Sequence, residues 1–191
     1  LGDGGVRLEA YNGYTSASGY WSQPMSFDAA TGKAHFSLDG YDYGGSLVFG
    51  PGDLVATVPF EVPVLVELRE VRVELIPVGG GSYEGELGAA IPMGSVYDAL
   101  NAYVAGECSC YGLGGSPYIS YPGEGGSASC ATVSIAGCEP GGFCETLGSY
   151  CGLALGLVAP DIDTSGSGTK DSLSVGLTLR VDGATIQGVG E

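Results

Sequence analysis

All six cysteines of this chain, Cys108, Cys110, Cys130, Cys138, Cys144 and Cys151, fall between residues 108 and 151, and none precedes them. An even count in an acidic, Lys-poor chain rich in Gly and Tyr reads as three disulfides formed in an oxidising compartment. The sequence does not choose among the fifteen pairings that six cysteines allow. Cys108 and Cys110 are expected to take different partners, because a Cys-X-Cys ring is strained. A zinc site would need Cys-X2-Cys pairs or added histidines, and a covalent haem would need Cys-X-X-Cys-His. The chain has neither.

Charge narrows the partners. Lys and Arg number 6 against 22 Asp and Glu, a net charge of -16, so the summed field repels phosphate backbones and anionic membranes. Nucleic acid is therefore excluded as a partner. The acidity is spread along the chain, and 44% hydrophobic residues argue for a packed core. No apolar run reaches the roughly 18 residues of a transmembrane segment. The 36 glycines follow no Gly-X-Y period, which suits tight turns and strand bends better than collagen or long helices. A length of 191 residues suits one domain with a real core. The chain begins at Leu1 without Met, as a mature form after signal removal or a chosen fragment would.

Periodicity organises that domain into four stretches. Residues 1–60 read as short strands with an aromatic loop or edge carrying Tyr11, Tyr14, Tyr20 and Trp21. Val6, Leu8 and Ala10 alternate as in a half-buried strand. Asp39-Gly40, between alternating flanks, predicts a type I′ hairpin turn. Residues 46–49 and 54–60 read as two strands around Gly50-Pro51-Gly52-Asp53.

Residues 61–106 hold long strands and a helix. Across 62–78, Val64, Val66 and Leu68 share one face, whereas Val71, Val73 and Leu75 continue out of phase. The slip at Arg69-Glu70 predicts a bulge. Gly79-Gly80-Gly81 turns the chain into a strand over 82–91. Ser95 with Asp98 reads as a capping box, opening a helix over 95–105 with a stripe of Val96, Leu100, Tyr103 and Val104 that stops at Gly106.

Residues 107–152 form the Cys-rich insert, whose only expected strand is 131–136. A second helix is predicted over 145–158, with Leu147, Cys151, Leu155 and Val158 on one face and Pro160 ending it. Residues 153–191 add an acidic loop, an alternating strand over 173–181 and its hairpin partner, 184–189, across Asp182-Gly183. The fold class is thus mostly β, an antiparallel sandwich-like single domain with one or two short helices and a disulfide-rich insert.

The acidic loop is the one candidate metal site. Asp161, Asp163, Ser165, Ser167 and Asp171 stand at loop positions 1, 3, 5, 7 and 11, with Gly166 and Gly168 at 6 and 8. Calcium takes six to eight oxygens at about 2.3–2.6 Å, and alternate residues of a Gly-turned loop supply them. Calcium is the cofactor this pattern predicts. The twelfth residue is Ser172 rather than a bidentate Glu, so the loop is not an EF-hand.

Residues 67–186 resemble a group of uncharacterised secreted proteins and lipoproteins common in myxobacteria and related bacteria. The resemblance rests on Gly85-Glu86-Leu87-Gly88-Ala89-Ala90-Ile91-Pro92 leading into a short helix, on the scattered cysteines, and on the loop after Ala159-Pro160. There the similar proteins read Pro-Asp-X-Asp-X-Asp-Gly-Asp-Gly-X-X-Asp, and this chain departs by carrying Ser165 and Ser167 for two of the aspartates. The resemblance implies a secreted or surface location and no established activity.

No catalytic set emerges. The lone histidine, His35, sits beside Phe36 in an expected strand, and no Gly-X-Ser-X-Gly elbow is present. Asp3-Gly4-Gly5 and the triple glycine at 79–81 lack the Lys and Ser/Thr of a phosphate loop. With 22 acidic residues, no particular carboxylate pair can be nominated for glycoside hydrolysis, which leaves a polysaccharide hydrolase as a minor alternative. The sequence therefore predicts a non-enzymatic extracellular or cell-surface structural protein, self-associating or binding other surface proteins, stabilised by disulfides and calcium. The alternative is a calcium-assisted glycan-binding or adhesive module, built on Tyr11, Tyr14, Tyr20 and Trp21 and on a trio of Tyr41, Tyr43 and Tyr118.

Overall fold

Alternating apolar residues build long strands in the first half of the chain, and glycines in left-handed conformations fold them back on one another. The computed structural model describes residues 5–11, 13–16, 19–58, 64–123, 126–182 and 186–189. In chain order the elements are strands β1 (Gly5–Ala10), β2 (Gly13–Ser16), β3 (Gly19–Ser22), β4 (Phe36–Tyr43), β5 (Ser46–Val58), β6 (Val64–Gly79) and β7 (Ser82–Pro92). Helix α1 (Met93–Glu107), strands β8 (Ile119–Ser120) and β9 (Ser129–Cys130), helix α2 (Phe143–Leu157), and strands β10 (Ser172–Val181) and β11 (Ile186–Val189) complete it. The class is mostly β, with two helices and three disulfides, as expected. Contacts gather into two units: Leu1–Ala56, Glu67–Ala90 and Val175–Glu191 form the first, and Thr57–Val66 and Ile91–Ser174 the second.

The first unit is organised by an antiparallel sheet of order β1-β4-β5-β6-β7-β10. Its β4–β5 turn lies at Gly44 and Gly45, whose φ values of +63° and +96° suit a type I′ turn. Asp42 Oδ1 accepts the Gly45 N–H at 2.9 Å. The turn expected at Asp39-Gly40 does not form, because both residues lie inside β4. Gly40 is needed there for close approach: a Cβ on it would sit 2.2 Å from the Val48 carbonyl oxygen. The expected break around Gly50 is likewise absent. β5 is one strand from Ser46 to Val58; residues 59 and 60 of the expected strand lie outside the described residues.

The triple glycine turns β6 into β7 as predicted, with Gly80 and Gly81 at φ +65° and +81°. The slip at Arg69-Glu70 is a bulge: the β6–β7 register shifts between Arg69 and Arg72. Glu70 adopts φ +52°, and its N–H donates to Asp53 Oδ1 at 2.9 Å. One extra residue exchanges the inward parity, so Leu68 before it and Val71, Val73 and Leu75 after it pack into one core. Leu38, Phe49, Leu54 and Leu87 are buried with them. Val6, Leu8 and Leu179 pack against the cluster, so every member comes from the six strands.

A second sheet of order β11-β3-β2 carries the aromatic stretch. β11 runs parallel to β3, and Ser22 Oγ donates to the Gly188 carbonyl at 3.1 Å. For 186–189 the expected pairing with β10 is therefore replaced by pairing to a strand far away in sequence, while residues 184 and 185 of the expected strand lie outside the described residues. The predicted Asp182-Gly183 turn reaches outside the described residues, as does much of Asp3-Gly4-Gly5. His35 precedes β4 rather than lying in a strand. It is exposed, and its backbone N–H donates to Ser26 O at 2.9 Å.

The second unit holds both helices close to their predicted spans. α1 begins at Met93, before the expected cap: Pro92 is the N-cap and makes no side-chain capping bond. The Met93 N–H instead donates to the Asp171 carbonyl at 2.9 Å. The helix runs through Gly106 to Glu107. Tyr97, rather than Val96, joins Val104 in the core, 4.9 Å from the Tyr121 ring. In the Cys-rich insert the paired residues are β8 with β9, and 131–136 form no strand.

Candidate functional site

The acidic loop begins where α2 ends and closes where β10 begins. Its neck is a bridge between Ile162 and Ser172, with Ile162 O accepting the N–H groups of Asp171 (3.0 Å) and Ser172 (3.1 Å). Gly166 and Gly168 take φ +72° and +83°, the role the spacing assigned to them. Each aspartate is bound by donors of the same segment. Asp171 is buried, 7% exposed. Its Oδ1 accepts from Thr164 N (2.9 Å), Thr164 Oγ1 (2.9 Å) and Ser172 Oγ (2.8 Å), and its Oδ2 from Ser165 N (3.0 Å). Burial pushes its pKa up, but the bonds from Thr164, Ser165 and Ser172 outweigh that and hold the carboxyl well below the usual carboxylate range.

Asp163 accepts from Gly166 N at 2.8 Å and Gly168 N at 2.7 Å. These bonds, the Gly168 one foremost, lower its pKa. Asp161 turns to Ser174, accepting its N–H at 2.7 Å and its hydroxyl, and the Ser174 hydroxyl is the main cause of its lowered pKa. Ser165 Oγ lies 3.2 Å from Asp163 Oδ1 and 3.0 Å from Ser167 Oγ. Of the five predicted ligands, the loop thus gathers Asp163, Ser165 and Ser167. Asp171 binds the loop backbone from below, and Asp161 is bonded to the start of β10. Among the described residues, no group of three or more His, Cys, Asp or Glu is disposed to hold a metal ion.

Beside this loop the disulfides fix α2. They join Cys108 to Cys144, Cys110 to Cys138 and Cys130 to Cys151, so Cys108 and Cys110 do take different partners. Cys144 and Cys151 stand seven residues apart on one face of α2, which is bolted at both points. Between them Tyr118 Oη donates to the Leu147 carbonyl at 3.0 Å, and Tyr111 Oη to the Cys144 carbonyl. Burial pushes the Tyr111 hydroxyl up to about 12. Gly148 is required at this contact: a Cβ there would lie 2.6 Å from Ile135 Cγ2.

The opposite face of α2 carries a second stripe that the sequence reading passed over. Phe143, Tyr150, Leu153 and Leu157 are 53%, 61%, 62% and 76% exposed. With Thr146 they follow the 3-4-3-4 spacing of a helix seam, a signal present in the sequence but masked by the stripe chosen for the core. A cleft of about 590 Å³, which none of these four residues lines, is walled by Gly152, Gly156, Val158, Ser127 and Ser129 with Tyr97.

The aromatic residues of the expected platform are distributed over several elements. Tyr11 packs on Phe27 with ring centroids 5.0 Å apart, and its hydroxyl donates to Glu9. Tyr20 and Trp21 are successive residues of β3, so they project from opposite faces. Tyr14 is the strand partner of Trp21. Tyr41 and Tyr43 are exposed on β4, whereas Tyr118 is 1% exposed in the core of the other unit.

Among the described residues, no helix is long and apolar enough to cross a membrane. No protein family, curated protein or solved structure matches the chain.

Proposed function

We propose that this protein is a non-enzymatic structural subunit of the cell surface or extracellular space, assembling with copies of itself into filaments or layers. One observation carries the reading. β10 is an outermost strand of the six-stranded sheet, Arg180 is its only charged residue, and Leu177 and Val181 are 53% and 41% exposed. A long, weakly charged, apolar outer strand is a template for pairing with another chain. The three disulfides fit an oxidising compartment. The glycan-binding alternative draws less support, since Tyr20 and Trp21 project from opposite faces of β3 and Tyr118 is buried.

Calcium belongs to this reading as a weak accessory. Asp163, Ser165 and Ser167 offer oxygens on one side of the loop, but the four bonds to Asp171 leave it a poor ligand. A donor set with so few free carboxylates places calcium affinity near the millimolar end of the range.

Negative-stain microscopy of the native protein, with calcium and after chelation, tests the proposal. Ordered fibres or sheets that Leu177→Lys prevents are the expected result. Single compact particles at every concentration, in both conditions, would sink it.

A further inference from the structure

We infer that Asp161 guards the outer edge of β10, closing the first pairing positions and confining an added strand to residues 176–181. The added strand rests on the self-assembly just proposed. The guard is a separate feature and can stand without it.

The bonds at the start of β10 fix which backbone groups look outward. The Asp171 carbonyl accepts the Met93 N–H, at the end of β7, at 2.9 Å. Ser172 turns the other way: its N–H donates to Ile162 O at 3.1 Å, and its carbonyl accepts from Ile162 N at 3.2 Å. Along a strand these directions alternate. The N–H and C=O groups of Ser174, Gly176, Thr178 and Arg180 therefore follow Ser172 to the outer edge. Among the described residues, no further strand of the sheet pairs there.

The first two outward positions are already taken. Ile162 holds Ser172, and Asp161 holds Ser174. The Ser174 N–H donates to Asp161 Oδ1 at 2.7 Å, and its hydroxyl donates to Oδ2. Asp161 and Ser174 are both exposed, so the bond lies where an incoming strand would arrive. It satisfies an outward donor and sets a negative charge where that strand's carbonyl oxygen would sit, as charged residues on protected edges do. A carboxylate outcompetes a peptide carbonyl for the N–H, because its charge strengthens the bond. Past Ser174 the guard ends, since Arg180 is the only charged residue of β10. Gly176, Thr178 and Arg180 remain as outward positions. The open edge is thus shorter than the strand of 10 residues, which limits the register of an added strand and keeps its pairing weak.

The test compares the intact, oxidised wild type with Asp161→Ala, Leu177→Lys and the double variant, in calcium and again in chelator. Amide exchange, read residue by residue by NMR, comes first. In the wild-type monomer the Ser174 amide should be protected, and those of Gly176, Thr178 and Arg180 should not. Asp161→Ala should speed Ser174 exchange by about tenfold or more. Light scattering and microscopy then give the lowest concentration at which assemblies form. Asp161→Ala should lower it about fivefold, the effect of one further strand hydrogen bond, and adding Leu177→Lys should cancel the gain. A Ser174 amide that exchanges as fast in wild type as in Asp161→Ala overturns the guard. So does an unchanged threshold, or a gain that survives Leu177→Lys. An effect of Asp161→Ala confined to calcium would make the residue an ion ligand and overturn it too. If wild type stays monomeric in both conditions while Asp161→Ala assembles, the guard stands and the assembly reading falls. If neither assembles, both fall.

Discussion

The two units of this protein hold themselves together by different means. In the first, six strands cover a core of Leu38, Phe49, Leu54, Val71, Val73, Leu75 and Leu87 that all belong to the sheet itself. Backbone pairing and apolar burial are the same act there, and no cysteine takes part. In the second, two helices frame a segment whose only strands, among the described residues, are two residues long. That segment pairs little of its own backbone, so three disulfides and the Tyr111–Tyr118 pair supply the order. Where a chain cannot alternate apolar residues, covalent links shrink the unfolded ensemble instead.

Breaking the links should separate the units most sharply. Cys130→Ser with Cys151→Ser opens a bridge spanning 21 residues and is expected to cost about 2–5 kcal/mol. Hydrogen exchange should show α1 and α2 losing protection while β4 to β7 keep theirs. Equal loss in both units would show that they unfold as one, and the contrast would fail.

The converse change is Leu75→Ala in the sheet, where the side chain is 3% exposed. A cavity at such a site costs about 3 kcal/mol. Denaturant unfolding should register it in β6 and β7, with the disulfide-bonded unit still protected when the sheet opens. Protection lost first around α2 would contradict the independence of the two cores.

A smaller effect is expected at the loop. The depressed carboxyl of Asp171 stabilises its unit fully above the unfolded value of about 3.9, and that contribution disappears as pH falls toward the folded value. The melting temperature should therefore drop on acidification from about pH 4 downward. Asp171→Asn should lower stability at neutral pH by on the order of 1 kcal/mol, since Thr164, Ser165 and Ser172 lose a charged acceptor. It should also flatten the acid dependence. An Asp171→Asn protein that loses stability in acid as steeply as wild type would assign the acid effect to other carboxylates.

Local periodicity and turn chemistry were legible in the chain. The parity change at Arg69-Glu70, the triple-glycine turn, both helices and the separate partners of Cys108 and Cys110 each depend on neighbours a few residues away. The candidate loop was legible in the same way: Gly166 and Gly168 turn it as their spacing required. Its aspartates were less so, because whether a carboxylate faces a backbone N–H or an ion depends on where Thr164, Ser172 and Ser174 are brought.

Three-dimensional neighbours decided the rest. Asp39-Gly40 has the chemistry of a turn, yet it stays extended because β5 passes over Gly40 with no room for a side chain. β11 left its sequence neighbour β10 for β3, more than 160 residues earlier. Tyr118 left an imagined surface trio for the core beneath α2, and Phe143, Tyr150, Leu153 and Leu157 were left outside it. Sequence spacing states which residues share a face. Which of two apolar faces is buried is settled by what packs against it, and for α2 the disulfides at Cys144 and Cys151 made that choice.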